Sequence, residues 1–209
     1  MMLTFFKTRL ICTAALILFV SSCSTTENIP KYNRTDWAGW KTKNCINTRH
    51  QLLKTKSITS PKINVKGCTV VDGLWLDFYT GESITAADKP EIDHIIPLKH
   101  AHTLGAYRWS RARRNAFYND PENLVITSRS MNREKQDKSF VDWSPLNRDL
   151  SCKYAHRWIL VKLKYNLDFK KEECFNFKSL ENKRSCPIPL PKVRFCRNVL
   201  ILNSAKSHQ

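Results

Sequence analysis

Short apolar runs alternate with polar, helix-compatible stretches between residues 91 and 138. "EIDHIIPL" (91–98) is entered from Pro90 and stopped at Pro97, the bounds of a strand. "WSRARRNAFYND" (109–120) predicts a helix with Ser110 as its cap. "ENLVITSRS" (122–130) predicts a second apolar strand, and "SRSMNREKQDK" (128–138) a polar helix capped by Ser128 or Ser130. The order is therefore strand, long connection, strand, helix. Upstream, "WAGWKTKNCINTRHQLLKTKS" (37–57) places apolar residues near helical spacing and predicts a helix. "CTVVDGLWLDFYTGES" (68–83) predicts a hairpin broken at Asp72-Gly73 and ended by Thr80-Gly81. Downstream, "CKYAHRWILVKLKYNLDF" (152–169) predicts a packed helix, and the tail after Cys174, with Pro187, Pro189 and Pro191, an irregular segment.

The first 23 residues follow a different pattern. Lys7 and Arg9 precede the apolar run "LICTAALILFV" (10–20), which is too short to span a bilayer as a stable helix. "VSSC" then ends on Cys23 and resembles a bacterial lipobox, in which that cysteine is lipidated and begins the mature chain. Ordinary secretory cleavage is the competing reading. The expected organisation is a lipoprotein signal peptide at 1–22, a lipidated polar tether at 23–36, and one domain at 37–209. The expected location is a bacterial cell envelope, at the outer membrane where there are two membranes, or secretion.

At 42% hydrophobic and 25% charged residues, the chain belongs among globular proteins rather than disordered ones. The net charge of +17 becomes +15 on removal of Lys7 and Arg9 with the signal. A surface that basic attracts polyanions, nucleic acid among them. Six cysteines follow Cys23: Cys45, Cys68, Cys152, Cys174, Cys186 and Cys196. An even number in an exported chain predicts disulfides, with connectivity left open. A structural zinc site is disfavoured because no C-x-x-C pair occurs.

The chemistry-bearing residues fall at defined places on this pattern. Asp93 and His94 lie on the first strand, Asn123 begins the second, and Asn132 and Lys135 lie on the helix. "IDHIIPL" followed by "DPENLVITSRSMNREKQDK" resembles the HNH endonucleases, the ββα-metal or His-Me finger group. Together with "GLWLDFYTGE" (73–82) it is similar to exported HNH nucleases of the DUF1524 type, over roughly residues 45 to 170. The fold that follows is α+β: a ββα-metal core at about 91–138 with flanking helices, held by disulfides.

The resemblance implies His94 as general base and Asp93 and Asn132 as ligands of a divalent ion, Mg²⁺ first, with Mn²⁺, Ca²⁺ or Zn²⁺ as alternatives. It makes Asn123 the residue that orients the loop or the His94 ring, and sets Lys135 against the phosphate. Phosphodiester hydrolysis needs an activated water and positive charge at the phosphorus oxygens, and these residue types supply both. Glu91 shares a strand face with Asp93 and either assists the metal site or is a loop residue after Pro90. His100 and His102 are expected as surface bystanders on a short helix. Arg108, Arg111, Arg113 and Arg114 cluster on one helix and Arg129 and Arg133 flank the next. Arg114, then Arg111, Arg133 and Lys135, are the expected nucleic-acid contacts. The expected partners are DNA, with RNA as a second substrate, and a membrane through Cys23; a monomer is assumed. The competing function is a non-catalytic basic lipoprotein that binds nucleic acid or an anionic envelope surface.

Overall fold

A computed structural model describes residues 28–37, 39–86, 88–182, 186, 189–198 and 200. The export signal and Cys23 lie outside them. Within them the protein is mixed α and β. Strands β1 (Thr42–Lys43) and β2 (Ile46–Asn47) lead into α1 (Thr48–Lys56), and β3 (Lys62–Ile63), β4 (Val70–Asp72), β5 (Leu74–Leu76) and β6 (Ser83–Thr85) follow. Then come β7 (Glu91–His94), α2 (Leu98–Thr103), α3 (Arg111–Tyr118), β8 (Leu124–Thr127), α4 (Arg129–Lys135), α5 (Arg148–Tyr165) and α6 (Lys171–Asn182). The strands pair antiparallel as β1–β2, β3–β4, β5–β6 and β7–β8.

The middle of the chain follows its pattern closely because polar caps mark the helix starts. The Ser110 side chain accepts from the Arg113 amide at the head of α3, and Ser128 accepts from the Met131 amide at the head of α4. Pairing of β7 with β8 sets Asp93 opposite Val125 and His94 opposite Leu124. Directly opposed residues share a face, so alternation splits the pair. Val125 faces the larger core, with Tyr79, Ile95, Phe117, Tyr154 and Trp158, whereas Leu124 and Ile126 join a smaller core with Leu52, Leu53 and Trp75.

Several elements depart from their expected form. The helix expected over 37–57 begins only at Thr48: Asn44 and Cys45 take positive φ to turn β1 into β2, and the Asn47 side chain caps α1 by accepting from the His50 amide. Asp72-Gly73 is not the turn of a hairpin. It joins two separate hairpins, since β4 pairs back to β3 and β5 pairs forward to β6. A Cβ on Gly73 would lie 2.6 Å from the Trp75 indole, so the buried tryptophan occupies the space that glycine leaves. The segment after Cys174 is helical as far as Asn182, because α6 runs through it. Glu173, in the first turn of α6, is wholly buried and accepts from Lys162 Nζ and Trp158 Nε1 on α5, at 2.7 and 2.8 Å.

The stretch expected as a tether is docked from Pro30 onwards. The Pro30 carbonyl accepts from His102 Nε2 at 2.7 Å, Tyr32 meets the His102 ring edge-on, and Arg34–Asp36 form one 3₁₀ turn. His102 and His100, expected at the surface, are both buried on α2. No helix among the described residues is long and apolar enough to cross a membrane.

The six cysteines form three disulfides: Cys45–Cys68, Cys152–Cys186 and Cys174–Cys196. The first ties the β1–β2 turn to the segment ahead of β4; the other two tie α5 and α6 to the tail. Their sequence separations of 22 to 34 residues correspond to about 3–4 kcal/mol each in the chain-entropy account. Denatured, non-reduced protein should therefore show none of these six as a free thiol, and reduction should lower the melting temperature. Six titratable thiols would contradict this pairing.

Candidate active site

Successive strand residues face opposite ways, and at the end of β7 this separates the acid from the imidazole. Glu91 and Asp93 face α4; His94 faces the other side. On the α4 side, Asn132 Nδ2 donates to Glu91 Oε2 at 2.8 Å and Arg129 pairs with Glu91 Oε1 at 3.0 Å. Lys135 Nζ, with zero exposure, donates to Asp93 Oδ2 and to the His94 carbonyl, both at 2.8 Å. Residues 129, 132 and 135 sit on one helix face, so the helix rungs meet the strand rungs. Lys135 is thus closed off from any phosphate, which corrects its expected role.

Asp93 Oδ2 also accepts from the Tyr79 hydroxyl at 2.7 Å. Burial first, and then the Asp93 charge, push the Tyr79 phenol well above its ordinary range, so it stays a donor. Burial pulls Lys135 below the usual lysine range while Asp93 opposes it. With Oδ2 held twice, Asp93 Oδ1 is the carboxylate oxygen left to bind something else. A carboxylate only accepts, so Glu91 takes the Asn132 amide NH₂ and leaves Asn132 Oδ1 as the second available oxygen. These are two hard oxygen donors, the set that suits Mg²⁺, which takes one or two protein oxygens and keeps waters. Among the described residues no group of three or more His, Cys, Asp or Glu side chains is poised around an ion.

The upstream segment holds this arrangement. Asp77 Oδ2 accepts from the Ser128 amide at 2.7 Å, at the junction of β8 and α4, and its Oδ1 accepts from the Thr127 hydroxyl at 3.0 Å and the Tyr79 amide at 2.8 Å. Gly81 turns β5 into β6 at φ +77°. Asp77 and Tyr79 therefore position α4 and Asp93 from outside the strand-helix core, a role that spacing alone does not assign.

His94 packs against two aromatic rings, Trp40 and Tyr118, that also meet each other at 4.8 Å. Its ring is parallel to Trp40 within 3°, at 6.0 Å between centroids, and tilted against Tyr118 at 4.9 Å. Nε2 lies 2.9 Å from the Tyr118 carbonyl. Burial pushes the imidazole down to about 4, while that carbonyl and Asp93 oppose the shift and Lys135 and Arg34 reinforce it. A neutral ring facing a carbonyl must donate from Nε2. That leaves Nδ1 with its lone pair, and Nδ1 is not among the buried atoms sealed without a partner. Asn123, wholly buried, accepts from the Ile96 amide through Oδ1 at 2.9 Å, and its own carbonyl accepts from the Ile95 amide at 2.8 Å. It fixes the chain just after His94 and touches nothing outside the protein.

A family model for the C-terminal domain of GmrSD restriction endonucleases matches residues 47–174. The chain belongs to this family. The GmrSD C-terminal domain match spans β7, β8, α3, α4 and α5, and so encloses Asp93, His94, Asn123 and Asn132. A protein of Arthroderma benhamiae described as an uncharacterized secreted protein is 32% identical over 146 residues, covering 68% of this chain and 70% of its own. No solved structure matches the chain significantly.

Of the four expected nucleic-acid contacts, Arg114 and Lys135 are engaged internally. Arg114 Nε donates to the Trp109 carbonyl at 3.2 Å and its guanidinium lies 3.9 Å from Asp36. Arg113 donates to the Tyr165 carbonyl at 2.6 Å and lies over the Trp109 ring. Arg111 and Arg133 remain exposed. Arg34, from the segment ahead of β1, donates from Nη2 to the Tyr118 hydroxyl at 2.9 Å.

His100 is buried against Trp158 with Nε2 lacking a protein partner, and burial, then Lys162 and Lys170, push it down to about 3. His94 and His100 are thus neutral when folded and titrate near 6.5 when unfolded. As pH falls below about 6.5 the unfolded chain takes up protons that the folded one refuses, so stability present above that pH is lost toward pH 4. The melting temperature should fall between pH 7 and 5, and His100→Leu should make that fall shallower. A flat wild-type profile would contradict the burial of neutral imidazoles.

Proposed function

We propose that this protein is a metal-dependent endonuclease that hydrolyses phosphodiester bonds of DNA with little sequence preference, through a ββα-metal core of the HNH type. The observation that carries the reading is the state of His94. It is neutral, packed against Tyr118 and Trp40, with Nε2–H committed to a carbonyl and Nδ1 left as a base. Such a group accepts a proton from water without first losing one. The tautomer is set by the Tyr118 carbonyl, the usual way in which one ring nitrogen defines the task of the other.

Asp93 Oδ1 and Asn132 Oδ1 are the atoms that would hold a divalent ion, Mg²⁺ first. When bound, the ion would neutralise phosphate charge and lower the pKa of a coordinated water. Tyr79 and Lys135 fix the other Asp93 oxygen, and such partners orient a ligand carboxylate. The Lys135 charge also offsets that of Asp93, so tight ion binding is expected only with substrate phosphate completing the shell. RNA is a second substrate for the same chemistry. The net charge of +17 suits a polyanion. Export with acylation at Cys23 completes the reading, supported by the apolar run at 10–20 and the three disulfides.

Purified full-length protein incubated with plasmid should nick and linearise it with Mg²⁺ or Mn²⁺ and leave it intact with chelator. His94→Ala should still bind DNA and lose about 10²–10⁴-fold in rate, the range of a lost general base. Tyr79→Phe should shift the metal dependence about 10–100-fold to higher concentration. DNA and RNA left intact with every divalent metal, yet bound tightly, would replace this reading with that of a non-catalytic basic binding protein.

A further inference from the structure

The segment ahead of the matched family region contributes to the His94 side of the site. Residues 28–43 precede the match, which begins at residue 47, yet Arg34 and Trp40 from this segment meet Tyr118 and His94. The Arg34 guanidinium lies 4.8 Å over the Tyr118 ring and spends one donor on the Tyr118 hydroxyl, 2.9 Å away. Tyr118 in turn gives its carbonyl to His94 Nε2 and lies 4.9 Å ring to ring from His94. Arg34 is itself exposed, so the rest of its planar fork is open to solvent.

We infer that Arg34, braced on Tyr118 beside His94, holds a non-bridging phosphate oxygen of the nucleic-acid substrate, so that the N-terminal segment supplies part of the site. This rests on the reading of the protein as a phosphodiesterase. Three features carry it. The guanidinium fork matches the geometry of phosphate oxygens. The brace on Tyr118 removes much of the side-chain freedom that an unanchored arginine would lose on binding. Of the arginines that the sequence pattern favours, Arg114 is engaged by a carbonyl and an acid, and Arg111 and Arg133 are exposed on α3 and α4, whereas Arg34 is both exposed and fixed on an aromatic ring. A purely structural role, pinning the segment to Tyr118, is the alternative.

The test compares full-length wild type with Arg34→Ala and Arg34→Lys. Duplex DNA binding is measured across salt in chelator, kcat and KM with Mg²⁺, and the melting temperature alongside. Arg34→Ala should lower the slope of log affinity against log salt by about one phosphate's share, roughly 0.9. It should also lower kcat/KM about 10–100-fold, the range of a lost charge-assisted hydrogen bond. Arg34→Lys should keep the wild-type slope and recover only part of kcat/KM, since an ammonium lacks the fork. A wild-type slope in Arg34→Ala overturns the inference whatever happens to turnover. If Arg34→Ala does not fold, Arg34→Lys decides: wild-type slope with reduced kcat/KM supports the inference, and wild-type kcat/KM overturns it. Failure of the wild type to cut with any metal would instead remove the nuclease reading, while the salt slopes still report whether Arg34 contacts phosphate.

Discussion

One buried contact sets the geometry of the candidate site: the Lys135 ammonium, at zero exposure, between the Asp93 carboxylate and the His94 carbonyl, 2.8 Å from each. Breaking a buried pair by removing one partner typically costs about 3–5 kcal/mol, because the remaining charge stays in a poor solvent. A helix pinned to a strand in this way cannot slide by a turn without stranding that charge. The register of α4 on β7 follows, and with it the meeting of Asn132 with Glu91 one rung away. Lys135 therefore acts through Asp93 and the backbone rather than on a substrate.

The remaining parts are positioned from outside this strand-helix unit. Asp77 holds the start of α4 through the Ser128 amide, and Tyr79, two residues on, holds Asp93. Asn123 ties the chain after His94 to the chain before β8. Tyr118, at the end of α3, orients the imidazole through its carbonyl. The long connection between β7 and β8 thus returns to the strand it left, and Arg113 and Arg114 on it donate to the Tyr165 and Trp109 carbonyls.

The strand, helix and cap pattern of residues 91–138 was legible because it is local: prolines bound β7, and Ser110 and Ser128 cap the helices. Asp93, His94, Asn123 and Asn132 stand out as candidates because their residue types and order are distinctive. What was not legible depends on contacts distant in sequence. Tyr79 meets Asp93 across 14 residues, Arg34 meets Tyr118 across 84, and the disulfide partners lie 22 to 34 apart. No periodicity encodes such pairs. The two hairpins around Gly73 were missed for a related reason, since Asp-Gly marks a turn without saying which strands it joins. His100 and His102 read as surface residues because nothing local shows that Trp158 and Pro30 cover them.

On the proposed reading, His94 serves water attack on a phosphodiester. Digestion of DNA in ¹⁸O-labelled water, with mass analysis of the ends, tests it most directly. One labelled oxygen is expected in each new terminal phosphate with wild type, and no new ends with His94→Ala. Intact DNA with wild type, unlabelled phosphates at the cuts, or equal labelled cutting by His94→Ala would contradict it.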